Sequence, residues 1–389
     1  MTLSLILPAA DGSTEDYRLI GTPLAAAAPG QAYNREAYAA AHVVADPRAL
    51  ADPWLTPAID WEATLAFRRH LWGLGLKVAE AMDTSQRGMG LDWGNASELI
   101  RRSIAESRTI PGADLASGAG TDQLAVTPST ALADIIRAYE EQVGFIEGEG
   151  GRAILMASRA LAAVARSAED YIAVYDVILR QASHKVILHW LGEMFDPALA
   201  GYWGAGDFEA QAKTVLAIIK AHADRIDGIK ISLLSQEKEI ALRSRLPAGV
   251  RMYTGDDFNY PPLIEGDDSG HSHLLLGILD PIAPAAALAL GRLAAGDAAG
   301  FRTVLMPTVP LSRRIFEAPT QYYKAGIVLL AWLNGFQDHF VMIGGMQSAR
   351  GIAHYADVFR LADAAGLLRD PDLAAARMRT LLALHGVGA

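Results

Sequence analysis

The sequence predicts a (β/α)8 TIM barrel with a short amino-terminal hairpin and a carboxyl-terminal helical extension. First, short apolar segments alternate with amphipathic helical ones eight times, at roughly 35 residues per repeat. Second, no Gly-x-Gly-x-x-Gly opens the first unit, which removes the fingerprint of the competing open doubly wound sheet. Third, Asp227-Gly228-Ile229-Lys230-Ile231-Ser232 puts Ile229 and Ile231 on one face and Gly228, Lys230 and Ser232 on the other. In a closed barrel that polar face points inward. A lysine there is costly to keep charged, and the same burial makes its amine a nucleophile for a carbonyl carbon.

In chain order, residues 3–7 and 17–20 flank Asp11-Gly12-Ser13 as a hairpin, and the Ala/Pro/Gly-rich residues 23–38 read as an arm. The arm completes an amino-terminal segment at residue 39. The first barrel strand is expected at His42–Asp46, followed by a helix whose acidic first turn is Asp60-Trp61-Glu62. Further strands are expected at 76–82, 114–117, 153–157, 185–189, 227–232, 250–254 and 273–279. Helices near 96–107, 130–147, 168–182 and 208–223 separate most of them. Helical periodicity continues at 284–293, 299–311, 321–333, 352–365 and 372–384. The barrel therefore spans 40–299, and 300–389 form a helical appendage.

Composition narrows the function. A formal charge of −10 with scattered Lys and Arg provides no stripe for phosphates, so no nucleic acid is expected as partner. The absence of cysteine removes disulfides, thiolate metal sites and thiol nucleophiles, and fits the cytoplasm. No apolar run approaches the length of about eighteen residues that a membrane helix needs, and the amino terminus lacks a basic signal-peptide region, so no membrane partner is expected. The apolar faces of the helical tail predict a homo-oligomer, a dimer or a tetramer.

Chemistry is expected where strands end. After the second strand, Asp83-Thr84-Ser85-Gln86-Arg87-Gly88 forms a turn whose hydroxyls and N–H groups either hold an anion or cap the turn itself. Strand five ends in His189-Trp190, offering a general base, a ligand or a core histidine. Strand seven ends in Gly255-Asp256-Asp257, where the carboxylates bind sugar hydroxyls or a cation, or cap the next helix. Glu80 lies within an apolar strand and needs a buried partner, with Lys230 or Arg159 as candidates. His271 and His273 flank Ser272 at the amino end of strand eight, away from the expected mouth.

Taken together, these stretches resemble the dihydrodipicolinate synthase and N-acetylneuraminate lyase family of class I aldolases over residues 40–300. Gly228-Ile229-Lys230 resembles the family's strand-six motif, whose lysine forms a Schiff base with a 2-oxo acid. Thr84-Ser85 falls where a Gly-Thr-Thr turn binds the substrate carboxylate, and Gly255-Asp256-Asp257 falls where the family often has Ser-Gly-Asp-Asp. Residues 81–90 resemble a divergent branch usually described only as a domain of unknown function. Two departures stand out: Met156-Ala157-Ser158-Arg159-Ala160 has no tyrosine where the family has its proton relay, and Asp83 replaces the glycine of the carboxylate turn.

The resemblance implies a Schiff-base lyase or aldolase acting on a small 2-oxo acid or oxo-sugar acid. Lys230 would add to the carbonyl without a separate cofactor, and His189 would move the proton. Asp83, Thr84, Ser85, Arg159, Gly255 and Asp256 would bind the substrate. Two readings stand beside it. One is a divalent-metal-dependent sugar isomerase or lyase using Glu80, Asp83, His189 and Asp256; the other is a noncatalytic small-molecule binder.

Overall fold

The computed structural model describes residues 4–9, 11–25, 32–49, 52–204 and 206–388. Strands β1 (Ser4–Pro8) and β2 (Thr14–Arg18) form an antiparallel hairpin. The remaining strands are β3 (Ala37–Ala40), β4 (Lys77–Glu80), β5 (Leu115–Ala119), β6 (Ala153–Leu155), β7 (Val186–Leu191), β8 (Ile226–Ser232), β9 (Arg251–Thr254) and β10 (His273–Leu276). They pair in parallel, each with the next, and β10 returns to β3 to close the barrel.

The helices are α1 (Trp61–Gly73), α2 (Trp93–Ser107), α3 (Leu132–Gly148), α4 (Arg159–Val164), α5 (Ala168–Gln181), α6 (Phe208–Ala221) and α7 (Gln236–Arg243). They continue with α8 (Tyr260–Glu265), α9 (Ala283–Ala294), α10 (Ala298–Leu305), α11 (Val309–Ile315), α12 (Lys324–Leu333), α13 (Ile352–Ala364) and α14 (Pro371–Leu384). Two compact units result: Arg35–Ala41 with Lys77–Gly277, and Met1–Asn34 with His42–Leu76 and Ile278–Ala389. The whole closed sheet belongs to the first.

Within the barrel, alternate residues turn inward. Tyr38, Ala40, Ala79, Ala116, Ile154, Ile187, Tyr253 and Leu275 make the buried interior cluster together with Met82 and Met156. Lys230 pairs in register with His189 on one side and Tyr253 on the other, so both it and His189 share that inward face. The amino end of the barrel is sealed by ion pairs. Lys77 bridges Glu36 at 2.6 Å and Asp114 at 2.8 Å, and Arg152 reaches Asp114 at 2.8 Å and the Tyr38 hydroxyl at 2.8 Å. Arg251 pairs with Asp227, which also accepts from the Tyr253 hydroxyl at 2.6 Å.

Helix α3 illustrates how sequence builds the outer layer. Ile135, Ala138, Tyr139, Gln142, Val143 and Ile146 recur at helical spacing and are all buried. Gln142 is the polar member of that stripe. It needs partners, and it finds them at the ends of the neighbouring strands.

In the second unit, the hairpin packs on α13 and α14. The Tyr17 hydroxyl donates to Asp363 at 2.8 Å, and Arg360 reaches Glu15 at 2.6 Å. The helices expected beyond residue 300 are present as α10 to α14, with 299–311 broken into two around Pro307. Residue 3 of the expected hairpin and residues 26–31 of the expected arm lie outside the described residues.

One element differs from expectation. The first barrel strand is Ala37–Ala40, which begins at the end of the stretch read as an arm (23–38), and His42–Asp46 is not a barrel strand. Val43 and Val44 carry the β-branched signal, but this backbone is satisfied by side chains and by an isolated antiparallel bridge of Ala45 to Ile59, not by a barrel strand. The His42 N–H and the ring Nδ1 both meet Asp280 Oδ2 at 2.8 Å, and the Val44 N–H donates to Thr64 Oγ1 at 3.0 Å. Among the described residues no helix is long and apolar enough to cross a membrane.

Candidate functional site

A cavity of about 760 Å³ opens at the carboxyl ends of β4 to β7. Asp83 and Arg87 reach it from the segment after β4, Thr121 and Asp122 from that after β5, Arg159 from the start of α4, and His189 from β7. This is the end at which such barrels carry chemistry.

Lys230 is only 6% exposed, and among the described residues its amine has no hydrogen bond or ion pair. Burial pushes its pKa below the ordinary lysine value, against the opposing pull of the Asp83 and Asp257 carboxylates. His189, its register partner, is fully buried, and neither ring nitrogen has a hydrogen-bond partner. Burial first, and the Lys230 charge second, hold its pKa well below the usual imidazole range. His189 is therefore neutral at physiological pH and forms part of the cavity wall, whereas Lys230, its neighbour in register, lies outside the lining, behind it.

Gly255 is fitted to the lysine. A Cβ at this position would stand 2.8 Å from Lys230 Cε and 2.2 Å from Ser232 Oγ, so only glycine leaves the Lys230 side chain its place. Asp256 next to it is occupied by its own turn. Its Oδ1 accepts from the Phe258 and Asn259 N–H groups at 2.9 and 3.1 Å, and its Oδ2 accepts from Asn259 Nδ2 at 2.9 Å.

The turn after β4 divides its residues. Asp83 is half-buried and lines the cavity. Thr84 and Ser85 are buried outside that lining, and Ser85 directs both its N–H (3.1 Å) and its hydroxyl (2.7 Å) to the Met82 carbonyl. Arg87 is buried and saturated: it meets Asp122 at 2.9 Å, Gln142 at 2.8 Å, and the Ala81 and Gly118 carbonyls at 3.2 and 3.1 Å. Arg159 pairs with Asp196 at 2.5 Å.

Glu80 sits elsewhere. It follows the inward Ala79 and so points outward, accepting from Ser103 of α2 at 2.6 Å and from the Ala81 N–H at 2.9 Å. Neither Lys230 nor Arg159 is its partner in these contacts. With Glu80 outside the barrel and Asp256 capping a turn, the four residues of the metal reading do not converge. No group of three or more His, Asp or Glu placed to hold a metal occurs among the described residues. At the amino end of β10, His273 Nδ1 accepts from the Glu36 N–H at 2.9 Å.

Sequence reasoning missed the wall behind β6. Tyr139 donates to the Met156 carbonyl at 2.5 Å, Tyr202 accepts from the Ser158 N–H at 3.0 Å, and Tyr175 meets Tyr202 at 3.0 Å. Burial raises all three hydroxyls, Tyr139 to about 12. They lie outside the cavity lining and hold the Met156–Ser158 segment in place. Tyr139 was legible as part of the α3 stripe, but its destination was not.

The closed parallel barrel is the fold of the dihydrodipicolinate synthases. YagE, a prophage protein of the dihydrodipicolinic acid synthase family from E. coli K12 in complex with pyruvate, superposes with a TM-score of 0.62 at 14% identity, over 92% of this chain and 100% of its own. A monomeric dihydrodipicolinate synthase variant gives 0.63 at 13% identity, over 86% and 97%. Dihydrodipicolinate synthase from Aquifex aeolicus gives 0.59 at 10%, over 91% and 98%. No curated protein matches the sequence. The family described as protein of unknown function DUF993 matches residues 5–387, and the chain belongs to it.

Proposed function

We propose that this protein is a Schiff-base-forming lyase or aldolase acting on a small oxo compound, with Lys230 as nucleophile and His189 as proton carrier. The observation that supports this reading most is the unpaired, buried Lys230 amine in register with a cavity-lining histidine. A lysine kept for structure would be expected to hold a carboxylate or carbonyl partner.

The neutral amine adds to the carbonyl carbon, and the oxygen leaves as water, giving an iminium on Nζ. That cation accepts the electron pair released when the bond between the α and β carbons breaks; the β-hydroxyl gives up its proton to the imidazole and the fragment departs as a carbonyl compound, leaving an enamine. The resulting enamine takes a proton at carbon, and water then hydrolyses the iminium to return the amine. The neutral His189 imidazole both accepts and donates, so it can carry the proton between Nζ, the leaving oxygen and the enamine carbon.

Borohydride added with a carbonyl compound tests the reading. The expected result is irreversible inactivation and a mass adduct on the peptide containing Lys230. Turnover that borohydride leaves untouched and a chelator abolishes would instead favour a metal-dependent reaction.

A further inference from the structure

The substrate class follows from the charges of the cavity wall, and it rests on the reading that Lys230 meets a carbonyl there. Both arginines of the wall already have a carboxylate partner: Arg87 is saturated by Asp122 and Gln142, and the half-exposed Arg159 gives Nε to Asp196 and Nη1 to the Gly88 carbonyl at 3.5 Å. The turn expected to bind a carboxylate does not face the cavity, because Ser85 satisfies itself on the Met82 carbonyl. Asp83 stands there instead. Among the described residues its carboxylate has no hydrogen bond or ion pair, and Lys230 is the cation whose charge it affects.

A substrate carboxylate would therefore meet the Asp83 carboxylate, while each guanidinium of the wall already has a carboxylate partner. Apart from His189, several other polar groups of the wall are also engaged. Asp92 caps α2, Thr121 and Ser158 meet at 2.6 Å, and Gln123 is bonded at both ends, to Gln142 at 2.5 Å and the Ala138 carbonyl at 2.8 Å. Much of the remaining wall is apolar: Leu91, Trp93, Leu124, Val126, Leu191 and Leu199. Recognition uses the groups a site leaves unmatched, here the Asp83 carboxylate, the unpartnered His189 ring already assigned to proton transfer, and an apolar surface.

We infer that the substrate is an uncharged carbonyl compound, with a hydroxyl for Asp83 and an apolar substituent for this wall, and not the 2-oxo acid that the family resemblance implies. The Asp83 carboxylate accepts from the hydroxyl, the carbonyl carbon lies toward Lys230, and the apolar part is sheltered by Trp93, Leu124 and Val126.

The test compares near-isosteric probes by calorimetric titration of the full chain, both native and as Lys230→Met. Hydroxyacetone should bind about tenfold more tightly than pyruvate to both proteins, and Asp83→Asn should narrow that ratio by about tenfold. 1-Hydroxy-3-phenylpropan-2-one should bind about tenfold more tightly than erythrulose, which is uncharged but hydroxylated. Pyruvate binding as tightly as hydroxyacetone, erythrulose binding as tightly as the phenyl ketone, or no binding by any of the four overturns the inference. Borohydride trapping with hydroxyacetone is read separately. Absence of a Lys230 adduct alongside the expected binding order would remove the imine while supporting the charge selection.

Discussion

The two ends of the barrel treat charge in opposite ways. At the amino end, Lys77, Asp114, Arg152, Asp227 and Arg251 are joined to one another or to tyrosine hydroxyls. Burial opposes ionisation of Asp114, yet Lys77 and Arg152 hold its carboxyl below the usual range. Toward the carboxyl end, the Lys230 amine and Asp83 carboxylate lack partners among the described residues, and neither His189 ring nitrogen has one. One end uses charge to close the structure. The other keeps polar groups unmatched at a cost in stability, the pattern of a reactive site.

The largest test of this contrast is Lys230→Met. Activity should fall at least about a thousandfold, as befits loss of a covalent nucleophile, while denaturant unfolding shows unchanged or greater stability. Activity lost together with stability would make Lys230 a structural residue. In the native protein, kcat/KM should rise with pH as the ammonium deprotonates and level off below the ordinary lysine pKa of 10.5. Asp83→Asn removes a charge that raises this pKa, so the rising limb should move to lower pH.

Gly255→Ala should cost about a hundredfold in kcat, because the new Cβ displaces the Lys230 side chain. Unaltered kcat with a fully folded protein would detach Lys230 from the chemistry. At the opposite end, Asp114→Ala should destabilise the fold by about 1–2 kcal/mol and leave kcat unchanged in the folded enzyme. A change in kcat there would erase the division between the two ends.

The smallest effect concerns Glu239 of α7, buried beside Ser272 and Asp256. Its Oε1 accepts from the Ser272 hydroxyl at 2.7 Å, and burial first raises its pKa from 4.5 to about 8. Between those values the folded state holds a proton that the unfolded state has lost, so stability should fall as pH rises. Glu239→Gln should flatten that slope in urea titrations across the same window. An unchanged slope would place its origin elsewhere.

The order of the strands and the place of Lys230 were legible because alternation along β8 and the βα period are local properties of the chain. The first strand was not. Ala37-Tyr38-Ala39-Ala40 is stabilised as a strand by its neighbours β4 and β10, and the stronger propensity of Val43 and Val44 pointed past it. Site residues separate along the same line. Gly255 was identified by position, but its reason for being glycine is the Lys230 side chain lying against it. Glu80 and Asp256 have the composition of ligands and serve as outward and turn-capping acceptors, a distinction set by direction and not by residue type. The saturation of Arg87 depends on Gln142, far along the chain in α3.

That last contact has a mechanical consequence. Gln142 Oε1 accepts from Arg87 Nη2 and from the Gly120 N–H, while Arg87 holds Asp122, so the segments following β4 and β5 are riveted to one helix and to each other. Neither segment can be exchanged alone without severing the other's anchor. Evolution or engineering of a new specificity in this scaffold is thereby steered toward altering side chains on a rigid wall, with Leu124 and Val126 as the accessible positions, and away from remodelling the loops themselves.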